Sequence, residues 1–77
     1  MKTCVICEAG WILIGEKTTS NDTSMCLKES AVVRRWSNGI GIGGIAKAKY
    51  KDDYILDPIG DVEIRQNKVL FEIPCEW

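Results

Sequence analysis

Two arginines, a tryptophan and a run of glycines form the stretch of this sequence best suited to bind an anion. Arg34, Arg35 and Trp36 are followed by four glycines within residues 37–44. A guanidinium group can hold a phosphate through paired hydrogen bonds, and an indole can stack on a base. Arg34 and Trp36 together therefore favour nucleotide binding. The alternative is that Trp36 lies in the core and Arg34 extends outward over it.

The glycines have the spacing of a phosphate-binding loop between a strand and a helix. Without side chains, their backbone N–H groups can surround an anion, and the start of a helix adds partial positive charge. A chain of 77 residues is too short for a dinucleotide-binding fold, so only this local chemistry applies. Turn glycines with no ligand are the alternative. The predicted ligand site consists of Arg34, Arg35, Trp36, Asn38, Gly39, Gly41, Gly43, Gly44 and Lys47.

Residues for catalysis or metal binding are scarce. The chain has no histidine, which is the commonest general base and metal ligand. Asp52 and Asp53 are adjacent, and neighbouring side chains on one chain usually face apart, so we expect a solvated turn. Cys4 and Cys7 have zinc-knuckle spacing, but the Val-Ile pair between them favours a strand that points the two thiols to opposite faces. We predict a protein that is not an enzyme and that holds no cofactor or metal. We expect its cysteines to be mainly thiols buried in the core.

Charge is unevenly distributed along the chain. Residues 31–51 carry five basic and no acidic side chains, whereas residues 52–77 carry seven acidic and two basic ones, for a total net charge of −1. Either the two segments neutralise each other across the fold, or the basic segment forms an anion site. The acidic C-terminal third disfavours a long polyanion such as RNA or DNA, because a nucleic-acid groove needs an extended positive track.

The pattern of apolar residues predicts a mostly β fold of five to six short strands in one domain, residues 1–77. The strands are expected at residues 2–7, 11–15, 23–27, 31–36, 62–65 and 69–73, with turns at 8–10, 18–22, 28–30, 57–60 and 66–68. One short helix is expected near residues 43–50. The predicted architecture is a small, strongly bent sheet or an Sm-like barrel. Trp11 is expected in the core, and Trp77 is expected to cap the barrel or a subunit contact.

Location and assembly follow from the same features. The N-terminal apolar run is short and no stretch approaches the roughly 20 apolar residues of a membrane helix, so we expect a cytoplasmic protein with no membrane partner. So small a domain buries only about 60% of its chain surface, and pairing of sheet edges would add to that. We therefore expect a homo-oligomer.

Short motifs along most of the chain resemble a family of small phage and prophage proteins. The matching residues are Val5-Ile6, Ala9-Gly10, Arg34-Arg35-Trp36, Gly39, Ile45-Ala46 and Glu72-Ile73-Pro74-Cys75. Trp36 follows the arginines directly here, an extra Val-Val precedes them, the glycine run is richer and the first turn is shorter than in the family pattern. The resemblance implies a viral origin, a small barrel-like fold and the host cytoplasm, and it implies no catalytic activity.

The predicted function combines these observations. A phage-like, non-catalytic domain with a basic, glycine-rich segment is expected to bind and sequester a small nucleotide-like anion, namely a signal used in antiviral immunity. One alternative is an Sm-like barrel that binds RNA or DNA. Another is a structural phage component or an inhibitor that acts on a host protein through its surface.

Overall fold

The computed structural model describes residues 2–36, 42–47 and 54–77, which form five antiparallel strands. The side chains of Arg35, Trp36, Ile42 and Tyr54 are not among the parts described. The strands are β1 (Lys2–Cys7), β2 (Ile12–Ser20), β3 (Ser24–Trp36), β4 (Tyr54–Arg65) and β5 (Val69–Pro74). Short 3-10 helices cover Glu8–Gly10, Ile42–Ala46 and Gln66–Lys68. The predicted mostly β fold is confirmed.

The strands form one bent sheet with the order β4-β3-β2-β1-β5. β1 to β4 follow one another as a meander, and β5 returns to pair with β1, so that Thr3 lies opposite Pro74. Within the described residues β4 and β5 are the two sheet edges and do not pair with each other. The bent sheet is therefore the correct alternative, and the closed Sm-like barrel is not formed by these strands.

The largest difference from the predicted strands is the length of β3 and β4. The strands expected at 23–27 and 31–36 are one strand, and the turn expected at 57–60 lies inside β4. Bulges take the place of turns here, because the pairing register shifts on both sides of Ser30. Glu29 and Gly60 adopt left-handed backbone conformations, with φ of 52° and 78°. The hydroxyl of Ser30 donates to the Gly60 carbonyl, which holds the two bulged strands together.

Two other predicted boundaries move. β2 continues to Ser20, and the turn begins at Asn21, whose side-chain oxygen accepts from the N–H groups of Thr23 and Ser24 at 2.9 and 3.0 Å. The short helix expected near residues 43–50 is a single 3-10 segment, Ile42–Ala46, because glycines occupy its centre and disfavour a longer helix. Residues 48–50 lie outside the described part of the chain.

The core consists of two hydrophobic clusters on opposite faces of the sheet. The first contains Cys4, Ile6, Ile12, Ile14, Val33, Ile45 and Ala46. The second contains Val5, Cys7, Leu13, Met25 and Leu27. Successive side chains of β1 belong alternately to the first and the second cluster. Cys4 and Cys7 therefore lie on opposite faces of the sheet, as predicted. Strands buried on both faces are typical of a sheet covered from both sides.

Because the sheet is curved, residues of β4 pack against the second cluster. In a flat sheet, β1 and β4 would lie about 14 Å apart, because neighbouring strands are about 4.8 Å apart. One cleft is nevertheless lined by Cys7 of β1 and by Val62 and Ile64 of β4. The bulges of β3 and β4 thus bend the sheet far enough to bring β4 across the face of β1.

Gly15 of β2 lies so close to β3 that a side chain would not fit. A Cβ atom at this position would lie 2.8 Å from the Ser30 Cβ and 3.1 Å from the Ser30 Cα. One of these atoms is backbone and the other is bonded directly to it, so neither has much freedom to move. We expect Gly15→Ala to lower the free energy of unfolding by about 1–3 kcal/mol, the usual cost of overpacking. Urea unfolding monitored by circular dichroism measures this, with Gly10→Ala as control, where the added Cβ meets no atom within 4 Å. Since Gly10 has a φ of 80°, that control reports backbone strain without a clash.

Candidate functional site

The structure describes the backbone of six of the nine predicted site residues, in β3 and in and directly after the Ile42–Ala46 segment. Arg34 lies near the end of β3, whereas Gly43 and Gly44 lie in the Ile42–Ala46 segment and Lys47 directly follows it. The strand backbone includes Arg35 and Trp36, but their side chains lie outside the described part. Asn38, Gly39 and Gly41 also lie outside the described residues. The predicted glycine loop therefore lies partly in the Ile42–Ala46 segment and partly outside the described residues.

Arg34 occupies a bulge. The pairing of β3 with β4 shifts between Val33, opposite Leu56, and Arg35, opposite Ile55, which leaves Arg34 as the extra residue. A bulge interrupts strict alternation, so the prediction that Arg34 shares a face with Trp36 loses its basis. The Arg34 side chain is 66% exposed, and one of its guanidinium nitrogens lies 3.9 Å from a carboxylate oxygen of Asp57. Such a long, exposed ion pair leaves the guanidinium accessible to an anion.

The Ile42–Ala46 segment is held by the residues that follow β5. The indole Nε1 of Trp77 donates to the Ile45 carbonyl at 2.8 Å, and the backbone N–H of Glu76 donates to the Ala46 carbonyl at 2.7 Å. Gly44, Ile45 and Ala46 are buried. We call the two hydrogen bonds, from Trp77 to Ile45 and from Glu76 to Ala46, the Trp77 clamp. It fixes the end of the predicted glycine loop against the sheet.

Further contacts hold the residues of the Trp77 clamp in place. The Lys2 ammonium donates to the main-chain oxygen of Trp77 at 2.8 Å and lies 5.0 Å from the centre of the indole ring. Lys47 forms an ion pair with Glu76 at 3.1 Å. Trp77 packs on the first cluster, in keeping with the predicted capping role, although the sheet it covers is open. The clamp itself was not predicted, because its partners are 32 residues apart in the sequence and no local pattern connects them.

One buried cluster joins the two halves of the site. Val33, adjacent to Arg34, lies in the first cluster together with Ile45 and Ala46. Ala46 is in turn adjacent to Lys47, whose side chain is 55% exposed. The first cluster therefore positions two exposed cations at the two ends of the glycine segment. The start of this segment adds little partial positive charge to the site, because the observed 3-10 helix has only five residues.

The four cysteines are free thiols, and two of them, Cys4 and Cys7, belong to the core clusters. Cys4 and Cys7 are buried, and Cys26 and Cys75 are half-buried. Burial, together with the nearby Cys75, raises the pKa of Cys4 to about 12, and burial also raises the pKa of Cys7. Both groups are thus neutral thiols at pH 7, whereas a metal ligand or nucleophile would be a thiolate. In the part of the chain that the structure describes, no group of three or more cysteine or carboxylate side chains could hold a metal ion.

Trp11 does not lie in the core, contrary to prediction. Its side chain is 58% exposed. Trp11 follows a 3-10 turn in which Ala9 and Gly10 have left-handed conformations, with φ of 63° and 80°, and this corner carries the indole to the rim of the sheet. There it lines an open cleft of about 490 Å³ with apolar walls formed by Leu13, Val62 and Ile64.

Comparison with known protein families, curated proteins and solved structures gives no match. Over the three described ranges, no helix has the length and apolar character needed to cross a membrane. The resemblance to small phage proteins therefore stays a prediction from the sequence motifs. What is known of the site comes from its own residues and their contacts.

Proposed function

We propose that this protein is a non-catalytic binding protein that sequesters a compact nucleotide-like anion at the basic, glycine-rich segment. One observation carries the proposal: the first cluster anchors Arg34 and Lys47, two exposed cations, on either side of that segment. Their ion-pair partners, Asp57 and Glu76, are themselves about half exposed. Exposed pairs of this kind contribute little stability, so an anion can replace the carboxylates at small cost.

The charge of the neighbouring strand favours a compact ligand over a long one. β4 pairs along β3 and carries Asp57, Asp61 and Glu63, all exposed. These carboxylates interrupt any positive track that would extend from Arg34 along the sheet. A polyanion gains affinity from many neutralised phosphates, whereas a mono- or dinucleotide needs only the few cations at one position. The nucleic-acid alternative is therefore the weaker one.

The resemblance to small phage proteins extends the proposal to biology. A phage protein that binds a small nucleotide without changing it would act by lowering the free concentration of that nucleotide. We therefore propose a nucleotide signal of antiviral immunity as the ligand. Sequestration requires a Kd at or below the level of the signal, on the order of micromolar.

The experiment is thermal unfolding of the purified protein with cyclic dinucleotides, cyclic oligonucleotides and ADP-ribose derivatives at physiological salt. A ligand at 100 times its Kd adds about 2.7 kcal/mol of stability, which raises the Tm of so small a domain by roughly 10–20 °C. We expect one compound class to give such a shift. A flat panel would contradict the proposal for these ligands and favour a protein target.

Arg34→Ala tests the site itself. The loss of a charge-assisted contact to phosphate should raise the Kd of the active compound at least about tenfold, as measured by isothermal titration calorimetry. The variant should fold normally, because the ion pair that it removes is long and exposed. Lys28→Ala is the matched control: it removes an equal charge from the same strand at another exposed position. Equal weakening by both substitutions would indicate a nonspecific charge effect and overturn the assigned site.

A further inference from the structure

The exposed indole of Trp11 forms one wall of a cleft that the predicted site does not include. The cleft has a volume of about 490 Å³, and its apolar walls include Leu13, Val62 and Ile64. A concave, mostly apolar surface with an aromatic side chain in reach is typical of a site for a small molecule. Trp11 is more than half exposed, so the face of its ring is accessible from this cleft.

The register of β2 and β3 brings Trp11 close to Arg34. Leu13 lies opposite Val32 in this pair of strands. Trp11 has an extended backbone, with φ of −73° and ψ of 127°, and its carbonyl accepts from the N–H of Cys7 in β1 at 2.7 Å, so it continues β2 at its start. Two residues beyond the last pair, the same register places Trp11 opposite Arg34. Neighbouring strands are about 4.8 Å apart, so the two residues are close neighbours.

Trp11 and the Arg34 guanidinium also lie on the same face of the sheet. Trp11 lines the cleft together with Leu13, which belongs to the second cluster. Val32 packs against the same cluster and lies directly opposite Asp57, so Asp57 is on that face as well. The guanidinium of Arg34 lies 3.9 Å from the Asp57 carboxylate. This ion pair brings the guanidinium to the face of the second cluster, although Arg34 itself occupies a bulge.

The charges around the cleft favour an uncharged ring inside it. Two carboxylates and two cations line it, namely Glu8, Glu63, Arg65 and Lys68. Glu8 and Lys68 pair with each other at 3.5 Å. These lining residues therefore carry no net charge, whereas the exposed guanidinium of Arg34 next to the cleft can hold a phosphate. A ring in the cleft and an anionic group at Arg34 are the two parts of a nucleotide.

We propose that Trp11 stacks on the base of the nucleotide whose phosphate binds Arg34. The inference rests on the proposed function, which assigns the phosphate to Arg34, and it adds the residue that recognises the base. The role predicted for Trp36 is thereby assigned to Trp11. Every base has an aromatic face, so stacking on an indole selects a nucleotide over a simple phosphate and does not select one base over another.

An NMR titration with adenosine 5′-monophosphate (AMP) and with its two halves, adenosine and ribose 5-phosphate, tests the proposal. Trp11→Ala should weaken the binding of AMP and adenosine about tenfold, a loss typical of removing a stacking side chain, and should leave ribose 5-phosphate unaffected. Arg34→Ala should weaken AMP and ribose 5-phosphate and spare adenosine. Trp11→Phe keeps an aromatic face and should retain most of the affinity.

Phe71→Ala is the matched control, because it removes a 47% exposed aromatic side chain from β5 and should change none of the three affinities. If Arg34→Ala weakens AMP but Trp11→Ala does not, the role of Trp11 is overturned and the proposed function stands. If neither AMP nor ribose 5-phosphate binds, the proposed function itself is contradicted.

The indole N–H signals give a second measurement that does not depend on how Trp11→Ala folds. In the wild-type protein, the signal of Trp11, identified by its absence in Trp11→Phe, should shift on addition of adenosine more than the signals of Trp36 and Trp77. A larger shift at Trp36 would return the stacking role to that residue and overturn the inference.

Discussion

Leu27→Ala is expected to lower the free energy of unfolding by about 2–5 kcal/mol, the range for removing a buried leucine. Leu27 is 1% exposed and belongs to the second cluster, where β1, β2 and β3 meet across the bend of the sheet. Gly15 and Ser30 limit how far the backbone could move into the resulting cavity, because they already approach closely at this point. We therefore expect an effect in the upper half of that range.

Guanidinium chloride unfolding, followed by circular dichroism, measures the effect of Leu27→Ala. The control is Ile55→Ala, which removes a similar apolar side chain at a position that is 53% exposed on β4. It should change the free energy of unfolding by less than about 1 kcal/mol. If both substitutions cost the same, the second cluster does not form the core on this face of the sheet.

Trp77→Ala should have the second-largest effect, about 2–4 kcal/mol, somewhat below the range for a fully buried tryptophan because Trp77 is only half-buried. The substitution removes packing on the first cluster and the hydrogen bond to Ile45. Trp77→Phe keeps most of the ring but loses the N–H, and should cost about 1 kcal/mol. Trp11→Ala is the matched control, since its indole is 58% exposed and should contribute little to stability.

Amide hydrogen exchange locates the effect of Trp77→Ala. The N–H groups of Glu76 and Lys47 bond to the carbonyls of Ala46 and Gly44, and both should lose protection first. Amides in β1 should keep their relative order of protection, because that strand is paired on both sides. Uniform loss of protection throughout the chain would contradict the view that the Trp77 clamp holds the Ile42–Ala46 segment.

The strands were predictable where local sequence decides the structure. The Val-Ile pair of β1 and the β-branched residues of β2 are typical of strands; β1 has its predicted bounds, and β2 begins within one residue of its predicted start. The turns predicted at residues 28–30 and 57–60 were wrong, because the residue types that favour turns also favour bulges. Only the partner strand distinguishes the two outcomes, and β3 and β4 pair with each other through both segments.

The site could be predicted in part. The cations Arg34 and Lys47 are exposed, as an anion site requires, but the first cluster that places them at the two ends of one segment depends on contacts far apart in the sequence. The prediction that Trp11 is buried failed for a different reason. Its residue type favours burial, whereas its position after a left-handed corner favours exposure, and backbone conformation at Ala9 is not visible in a pattern of apolar residues.

The pairing of β5 with β1 has a consequence for the order of folding. β1 to β4 form a meander in which each strand pairs with the next, so these contacts close shorter loops, at lower entropic cost, than the pairing of β5 with β1. β5 pairs with β1 instead, and Thr3 meets Pro74 across nearly the whole chain. This closure is the most non-local step, and we expect it to come last and to limit the folding rate. Until it occurs, Val5 and Ile6 belong to an open and strongly apolar strand. We expect the risk of aggregation to be greatest at this stage and to end when β5 docks on β1.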